Sequence, residues 1–196
     1  ALRWQPESGR RMTGRRAATL PVRYLAIALP LVAGLMPGSS LAVMPAAYKA
    51  QVIEAQGLPE RYEFDLTTAL NQARKENRRL YVYLGARDCP FCRKYEAFLD
   101  KNAGELAPLF VEKKYIVVEL RSALSVQANR LFIRIGKNSR AYADFQRDIG
   151  DERARQLVYP SVWLLDANAK PLMQMPAGTG TFETVEEQIE ILNLVQ

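Results

Sequence analysis

The sequence predicts an α/β fold in which helices layer against a small mixed β-sheet. Three observations lead there. "LYVYLGA" (80–86) is aromatic, β-branched and uncharged, as a central strand covered on both faces should be. "YIVVEL" (115–120) repeats that signature, and "VYPSVWLLD" (158–166) with "KPLMQMPA" (170–177) reads as a hairpin turning at Ala167-Asn168. Between these runs, apolar residues recur at helical spacing. With 48% hydrophobic residues, a chain of 196 supplies one well-buried domain and leaves length for a processing segment or an insertion.

The elements follow in order. "TTALNQARKENRR" (67–79) places Ala69, Leu70 and Ala73 on one face of a short helix. The strand 80–86 runs into "RDCPFC", and "RKYEAFLDKNAGELAPLF" continues as helix, with Tyr95, Phe98 and Leu99 at core spacing and a break near Asn102-Ala103-Gly104. After the strand 115–120 comes a long polar interval, residues 121–158, expected to hold a short strand at "LFIRI" (131–135), a turn at "GKNS" (136–139) and a helix in "ADFQRDIGDERARQL". It is long enough to form a lid or docking surface, and its Arg130, Arg134, Lys137 and Arg140 read as a solvated face or a partner-recognition patch. "TVEEQIEILNLV" (184–195) closes the chain's pattern as an amphipathic helix with Val185, Ile189 and Leu192 on one stripe, and Trp163 is assigned to the core.

Charge is unevenly placed. Residues 1–42 hold six arginines against one acid, Glu7, for a net +5, whereas the remaining 21 basic and 20 acidic side chains leave only +1. The folded part therefore offers no basic face, and nucleic acid is not expected as a partner. "VRYLAIALPLVAGLMPG" follows the arginines, and its apolar run (25–36) is too short and too interrupted by Pro and Gly to span a bilayer comfortably. It reads as the centre of an export signal, with Ser40 and Ala42 at the spacing of a cleavage site and a second cut available after Ala47. The expected organisation is a signal peptide or membrane-targeting segment over 1–42, carrying Trp4, and one folded domain over 43–196. The domain would then work in the periplasm or another extracytoplasmic space, anchored to the membrane if the signal is retained.

Cys89 and Cys92 are the only cysteines, and there is no histidine. In an oxidising compartment such a pair bonds to itself, works as thiols, or tolerates exposure. A two-residue spacer closes a loop too small to restrain the unfolded chain much, which argues against a structural staple. Two thiolates fill half a tetrahedral metal site; copper(I) could use them with Met173 or Met175 as thioether ligands. Position favours redox chemistry. Cys89 follows a buried strand by a short loop and opens a helix, where unpaired N–H groups and the helix dipole stabilise a thiolate. That would make Cys89 the nucleophile, with Cys92 one turn on to resolve a mixed disulfide. Pro90 suits the first helical turn, where an N–H is not needed.

"YVYLGARDCPFCRKYEAF" together with "YPSVWLLDANAKPL" resembles the thioredoxin-like superfamily, in particular exported bacterial thiol-disulfide proteins, over residues 66–195. The resemblance implies a thioredoxin-like fold: a central mixed β-sheet flanked by helices, with an insertion (121–158) before the cis-proline strand. It implies a protein-disulfide oxidoreductase in which Cys89 is the exposed attacking thiol and Cys92 the resolving thiol. Pro160 would be the cis-proline packed beside the dithiol, leaving the backbone of Tyr159 to pair with an extended substrate segment, and Pro90 and Phe91 would shape the site. No cofactor beyond a redox-active Cys89–Cys92 disulfide is implied, and no metal. The implied partners are protein thiols and disulfides and a membrane-bound thiol electron donor.

Three departures matter. Thioredoxin-type reductases carry a buried carboxylate where this chain has Tyr83, and Glu119 at the end of the next strand is the candidate replacement. The tryptophan before the first cysteine is replaced by Asp88, which would either oppose a thiolate or cap the following helix; capping is preferred. The pair Pro90-Phe91 contains no histidine, so strong-oxidant character is not indicated. The expected function is thiol-disulfide exchange on the reducing side, with an oxidant or isomerase as alternative within the same chemistry. From a different class, the alternative is a copper-binding or assembly module without redox turnover.

Overall fold

The computed structural model describes residues 43–58, 60–150, 156–173 and 183–194. The export-signal reading of 1–42, Trp4, Met175 and the 151–155 part of the expected insertion helix lie outside the described residues.

A five-stranded sheet organises the domain in the order β1-β5-β4-β8-β9. Its centre is β4 (Arg79–Ala86), flanked by β5 (Tyr115–Ser122) in parallel and β8 (Ser161–Leu165) in antiparallel pairing. β1 (Gln51–Glu54) adds in parallel to β5, and β9 (Pro171–Met173) adds antiparallel to β8. This is the mixed sheet expected from the sequence. The hairpin turns where anticipated, because the Asp166 carboxylate at its start accepts from the N–H groups of Asn168 (2.7 Å) and Lys170 (2.8 Å) and so closes the loop.

Strand alternation divides the core in two. Leu80, Val82 and Leu84 of β4, Ile116, Val118 and Leu120 of β5, and Trp163 and Leu165 of β8 enter one layer, against α1 (Thr67–Glu76) with its Ala69, Leu70 and Ala73. Tyr81, Tyr83, Tyr115, Val117, Val162 and Leu164 enter the other, against α2 (Pro90–Lys101), α3 (Ala103–Glu112) and α5 (Val185–Leu194). The break between α2 and α3 falls at Asn102, as expected. The face of α5 is rotated from the expected stripe: Gln188, Ile191 and Leu192 are buried, while Val185 and Ile189 are only partly so. Polar chemistry explains the rotation, since the Gln188 amide oxygen accepts from the hydroxyls of Tyr95 (2.9 Å) and Tyr81 (3.3 Å) inside the core.

Residues 121–158 contain no detached lid among the described residues. β6 (Leu131–Ile135) and β7 (Asn138–Ala141) join β2 (Gln56–Leu58) and β3 (Arg61–Asp65) in a second, four-stranded sheet, order β2-β3-β6-β7, with β3 and β6 parallel. Leu131 and Ile133, with Tyr142 and Phe145 of α4 (Tyr142–Asp148), belong to the same core layer as Trp163. The interval thus supplies part of a hydrophobic layer. The expected turn at 136–139 is shorter, because Asn138 and Ser139 already pair with Ile135 and Arg134, leaving Gly136 at φ +62° to make the reversal. Its arginines are held by acids: Arg130 by Glu60, Arg134 by Glu63 and Asp65, and Arg140 by Asp148. Among the described residues, no helix is long and apolar enough to cross a membrane.

Candidate active site

β4 ends at Ala86, and a tight turn delivers the chain to α2. The N–H of Cys89 donates to the Ala86 carbonyl (3.1 Å), and that of Arg87 to the Ser122 carbonyl at the end of β5 (3.1 Å). Pro90 is the first residue of α2, the position where its missing N–H costs nothing. Cys89 is therefore the N-cap, and its sulfur accepts the Cys92 N–H at 3.2 Å. This corrects the expectation for Asp88. It lies one residue too early to cap the helix, and its carboxylate instead accepts the N–H of Leu124 at 2.8 Å, tying the loop after β5 to the dithiol turn.

The Tyr159–Pro160 peptide bond is cis, and the Cys89 thiol donates to the Tyr159 carbonyl at 3.7 Å. The loop is fixed from both sides. The Tyr159 hydroxyl pairs with Ser122 Oγ at 2.6 Å, and Ser161 Oγ donates to the Val158 carbonyl at 2.7 Å. Burial pushes the Tyr159 phenol up to about 12, so it stays a neutral hydrogen-bonding group.

Cys89 is 1% exposed and Cys92 fully buried. The anticipated exposed thiol is thus covered, because Tyr159 packs against the cluster of Ala86, Cys89 and Cys92. Phe91, between the two cysteines on the first turn of α2 (71% exposed), and Leu124, on the loop held by Asp88 (49% exposed), present apolar surface to solvent. A groove of about 850 Å³ lined by Tyr48, Ala107, Val111 and Ile116 contains neither cysteine.

Burial pushes the Cys92 thiol well above its ordinary range, and its interaction with Cys89 adds to this. The Ala86 N–H, 3.4 Å from the Cys92 sulfur, and the Tyr83 hydroxyl act in the opposite direction. Tyr83 occupies the strand position read as the replaced carboxylate, and its hydroxyl donates to Glu96 Oε1 at 2.7 Å. Glu96 is a residue the sequence reading missed. It sits on α2, 6% exposed, and its other oxygen accepts the Val43 N–H at 2.7 Å. Its signal was its spacing: four residues after Cys92, it shares that residue's helix face. Burial raises its carboxyl above the usual range, opposed by the bonds from Tyr83 and Val43; Glu119 raises it further and Arg121 lowers it. Glu119, the candidate modulator on β5, is buried beside Tyr83 across the sheet but is held by Arg121 at 2.9 Å. Its charge acts on Glu96.

Among the described residues, no group of three or more His, Cys, Asp and Glu side chains is placed to hold a metal ion. The arrangement is a cysteine pair at a helix N-terminus beside a cis-proline loop, at the end of a central strand. The family profile of the thioredoxin-like domain matches residues 66–192, and the chain belongs to that family. Its fold is the mixed α/β thioredoxin-like fold, and a CXXC pair in this setting is consistent with disulfide redox chemistry. A search among curated proteins finds no match.

Proposed function

We propose that this chain is a thiol-disulfide oxidoreductase acting on protein disulfides, working on the reducing side of an extracytoplasmic space. One observation supports the reading above the others: the Cys89 sulfur sits at the N-cap of α2, accepting the Cys92 N–H at 3.2 Å, within reach of the Tyr159 carbonyl at the cis-proline. Negative charge on that sulfur meets the positive end of a helix and a fixed N–H donor. Cys89 attacks one sulfur of a substrate disulfide, forming a mixed disulfide and releasing the other sulfur as a thiolate that takes a proton. Cys92 then attacks Cys89 Sγ, releasing the second substrate thiol and leaving the Cys89–Cys92 disulfide. A thiol donor of the membrane restores the dithiol. The backbone of Tyr159 pairs with an extended substrate segment, and Phe91 and Pro90 meet its side chains. Residues 1–42 serve as the export segment, and the folded domain begins at Val43.

The experiment is a redox titration in glutathione and dithiothreitol buffers with thiol trapping, on wild type and on Cys92→Ser. A potential near roughly −270 mV, with Cys92→Ser accumulating a mixed disulfide to protein substrates, supports the reducing assignment. A value near roughly −120 mV moves the protein to the oxidant side. A pair that never equilibrates, or that binds copper(I) tightly without exchanging, removes the redox reading.

A further inference from the structure

Glu96 is a carboxyl buried to 6% exposure, and among the described residues both of its oxygens are met by neutral donors. The Tyr83 hydroxyl donates to Oε1 at 2.7 Å and the Val43 N–H to Oε2 at 2.7 Å. Arg121, whose charge reaches it, is bonded to Glu119 and Glu54. A buried carboxylate so placed lacks a compensating positive charge. The bond before Val43 is the one that Ser40 and Ala42 mark for cleavage. We propose that cutting there delivers the new ammonium group of Val43 to Glu96 Oε2, so that loss of the export segment completes an ion pair holding the mature N-terminus on α2. The proposal rests on the export reading of residues 1–42 and is independent of the dithiol chemistry.

The cut is a hydrolysis by a peptidase of the export route. The carbon–nitrogen bond between Ala42 and Val43 breaks, and the oxygen of one water joins the Ala42 carbonyl carbon, which leaves on the export segment as a carboxylate. The Val43 nitrogen keeps the bonding electrons, takes both hydrogens of that water and becomes an ammonium group. It need not travel, because it already stands at hydrogen-bond distance from Oε2. A neutral donor is thus replaced by a charged one at an oxygen shielded from water, where such a bond is strengthened most.

The residues that follow fix the new terminus in place. Met44 is 5% exposed and belongs to the core layer of Tyr48, Leu99 and Phe110. Pro45 opens a single 3-10 turn, Ala46–Tyr48, and the Tyr48 hydroxyl donates to the Leu99 carbonyl at 2.8 Å. Residues 43–48 are therefore pinned to α2 at both ends, by Glu96 and by Leu99. A cut after Ala47 would strip Met44 from the core and leave Oε2 without its donor, so the geometry favours the earlier of the two candidate sites. The groups facing Glu96 are Tyr83 on β4, Glu119 and Arg121 on β5 and the Val43 nitrogen, while Arg93 and Asp100 on the neighbouring turns of α2 are exposed. An α-amino group is charged below an ordinary value of about 8, and a carboxylate partner raises that value in the folded state. The added stability is therefore present at neutral pH and is lost as pH rises through the raised value; in acid it is lost as Glu96 takes a proton.

The test uses the full chain with a factor Xa recognition sequence inserted before Val43, so that cutting frees the Val43 amine. A second chain carries the insertion before Ala42, which leaves a charged terminus one residue away and Val43 as an amide. Urea unfolding of the cut proteins is followed by near-ultraviolet circular dichroism. Near neutral pH the chain beginning at Val43 is expected to have an unfolding equilibrium constant about fivefold or more below that of the chain keeping Ala42, the margin by which a charged hydrogen bond exceeds a neutral one. That ratio should fall toward one at about pH 10, and to one at neutral pH when both chains carry Glu96→Gln. A ratio of one in the wild-type pair would overturn the proposal, and so would the same ratio with and without Glu96. Mass spectrometry of the exported chain without insertion is expected to find a product beginning at Val43. A product beginning at Tyr48 would overturn the proposal while leaving export standing, and a product retaining residues 1–42 would remove the cleaved-export reading and the proposal together. Each of these outcomes leaves the redox reading untouched.

Discussion

The main-chain nitrogen of Val43 lies 2.7 Å from Glu96 Oε2, which ties the first described residue of the domain to the buried carboxylate behind the dithiol. Cleavage after Ala42 would convert that amide into an ammonium group, replacing a neutral donor by a charged one against the same oxygen. An amine with an ordinary pKa near roughly 8 is protonated at neutral pH and holds a neighbouring carboxyl down. A chain beginning at Val43 should therefore show a lower Glu96 titration, followed by carboxyl carbon NMR, than the same chain carrying Leu41 and Ala42. Blocking the amine by acetylation should return the higher value. Coincident titrations in all three preparations would show that the contact has no electrostatic consequence.

Gly85 is required by a neighbour two residues away. A methyl group there would lie 2.7 Å from Cε1 of Tyr83, a fully buried side chain. Gly85→Ala is expected to cost about 1–3 kcal/mol by overpacking. It should also displace the Tyr83 hydroxyl from Glu96 Oε1 and so alter the Glu96 titration. Denaturant unfolding and carboxyl carbon NMR measure the two effects separately. Wild-type stability in this variant would mean that the Tyr83 ring has room to move.

Glu96 also predicts a pH dependence of stability. Burial raises its carboxyl above the unfolded value of about 4.3, so the folded state binds the proton more tightly, and this contribution to stability is lost as pH rises through the interval between the two values. Glu96→Gln removes the titration. The stability of the variant relative to wild type should therefore increase as pH rises from about 4 toward neutrality, with a slope of at most about 1.4 kcal/mol per pH unit. Parallel stability curves for the two proteins over that range would contradict the assignment of the raised carboxyl.

How far the sequence carried depended on how locally each feature is encoded. β4, β5 and β8 were legible because strands covered on both faces lose their polar residues, and the dithiol was legible because Cys89, Pro90 and Cys92 occupy adjacent helix-start positions. β1 and β3 were not, since "RYEFD" carries a charge on every second residue and "QVIE" is four residues with polar ends, so both look like loops. The parallel pairing of β3 with β6 joins Tyr62 to Leu131, a contact no local pattern announces, and without it the 121–158 interval reads as an appendage. Glu96 was hidden for a related reason. Its spacing from Cys92 places it on the inward face of α2, but the hydroxyl that holds it, that of Tyr83, comes from β4.

The Asp88–Leu124 contact gives the last prediction. The Asp88 carboxylate accepts the Leu124 N–H at 2.8 Å and so holds an exposed apolar side chain on the loop bound to the dithiol turn. Both charge and tether are removed in Asp88→Ala, whereas Asp88→Asn keeps an acceptor oxygen for the N–H and removes only the charge. The contact is solvent-exposed, so its loss should change global stability by no more than about 0.5–1 kcal/mol. If Leu124 contributes to the surface that meets a protein substrate, Asp88→Ala should lower the rate with a protein disulfide several-fold while leaving the rate with a small uncharged disulfide within about twofold, because only the large substrate spans the loop. Asp88→Asn should then behave like wild type with both. Equal losses in the two variants would assign the effect to charge beside Cys89, and unchanged rates in both would show that the tethered loop takes no part in substrate docking.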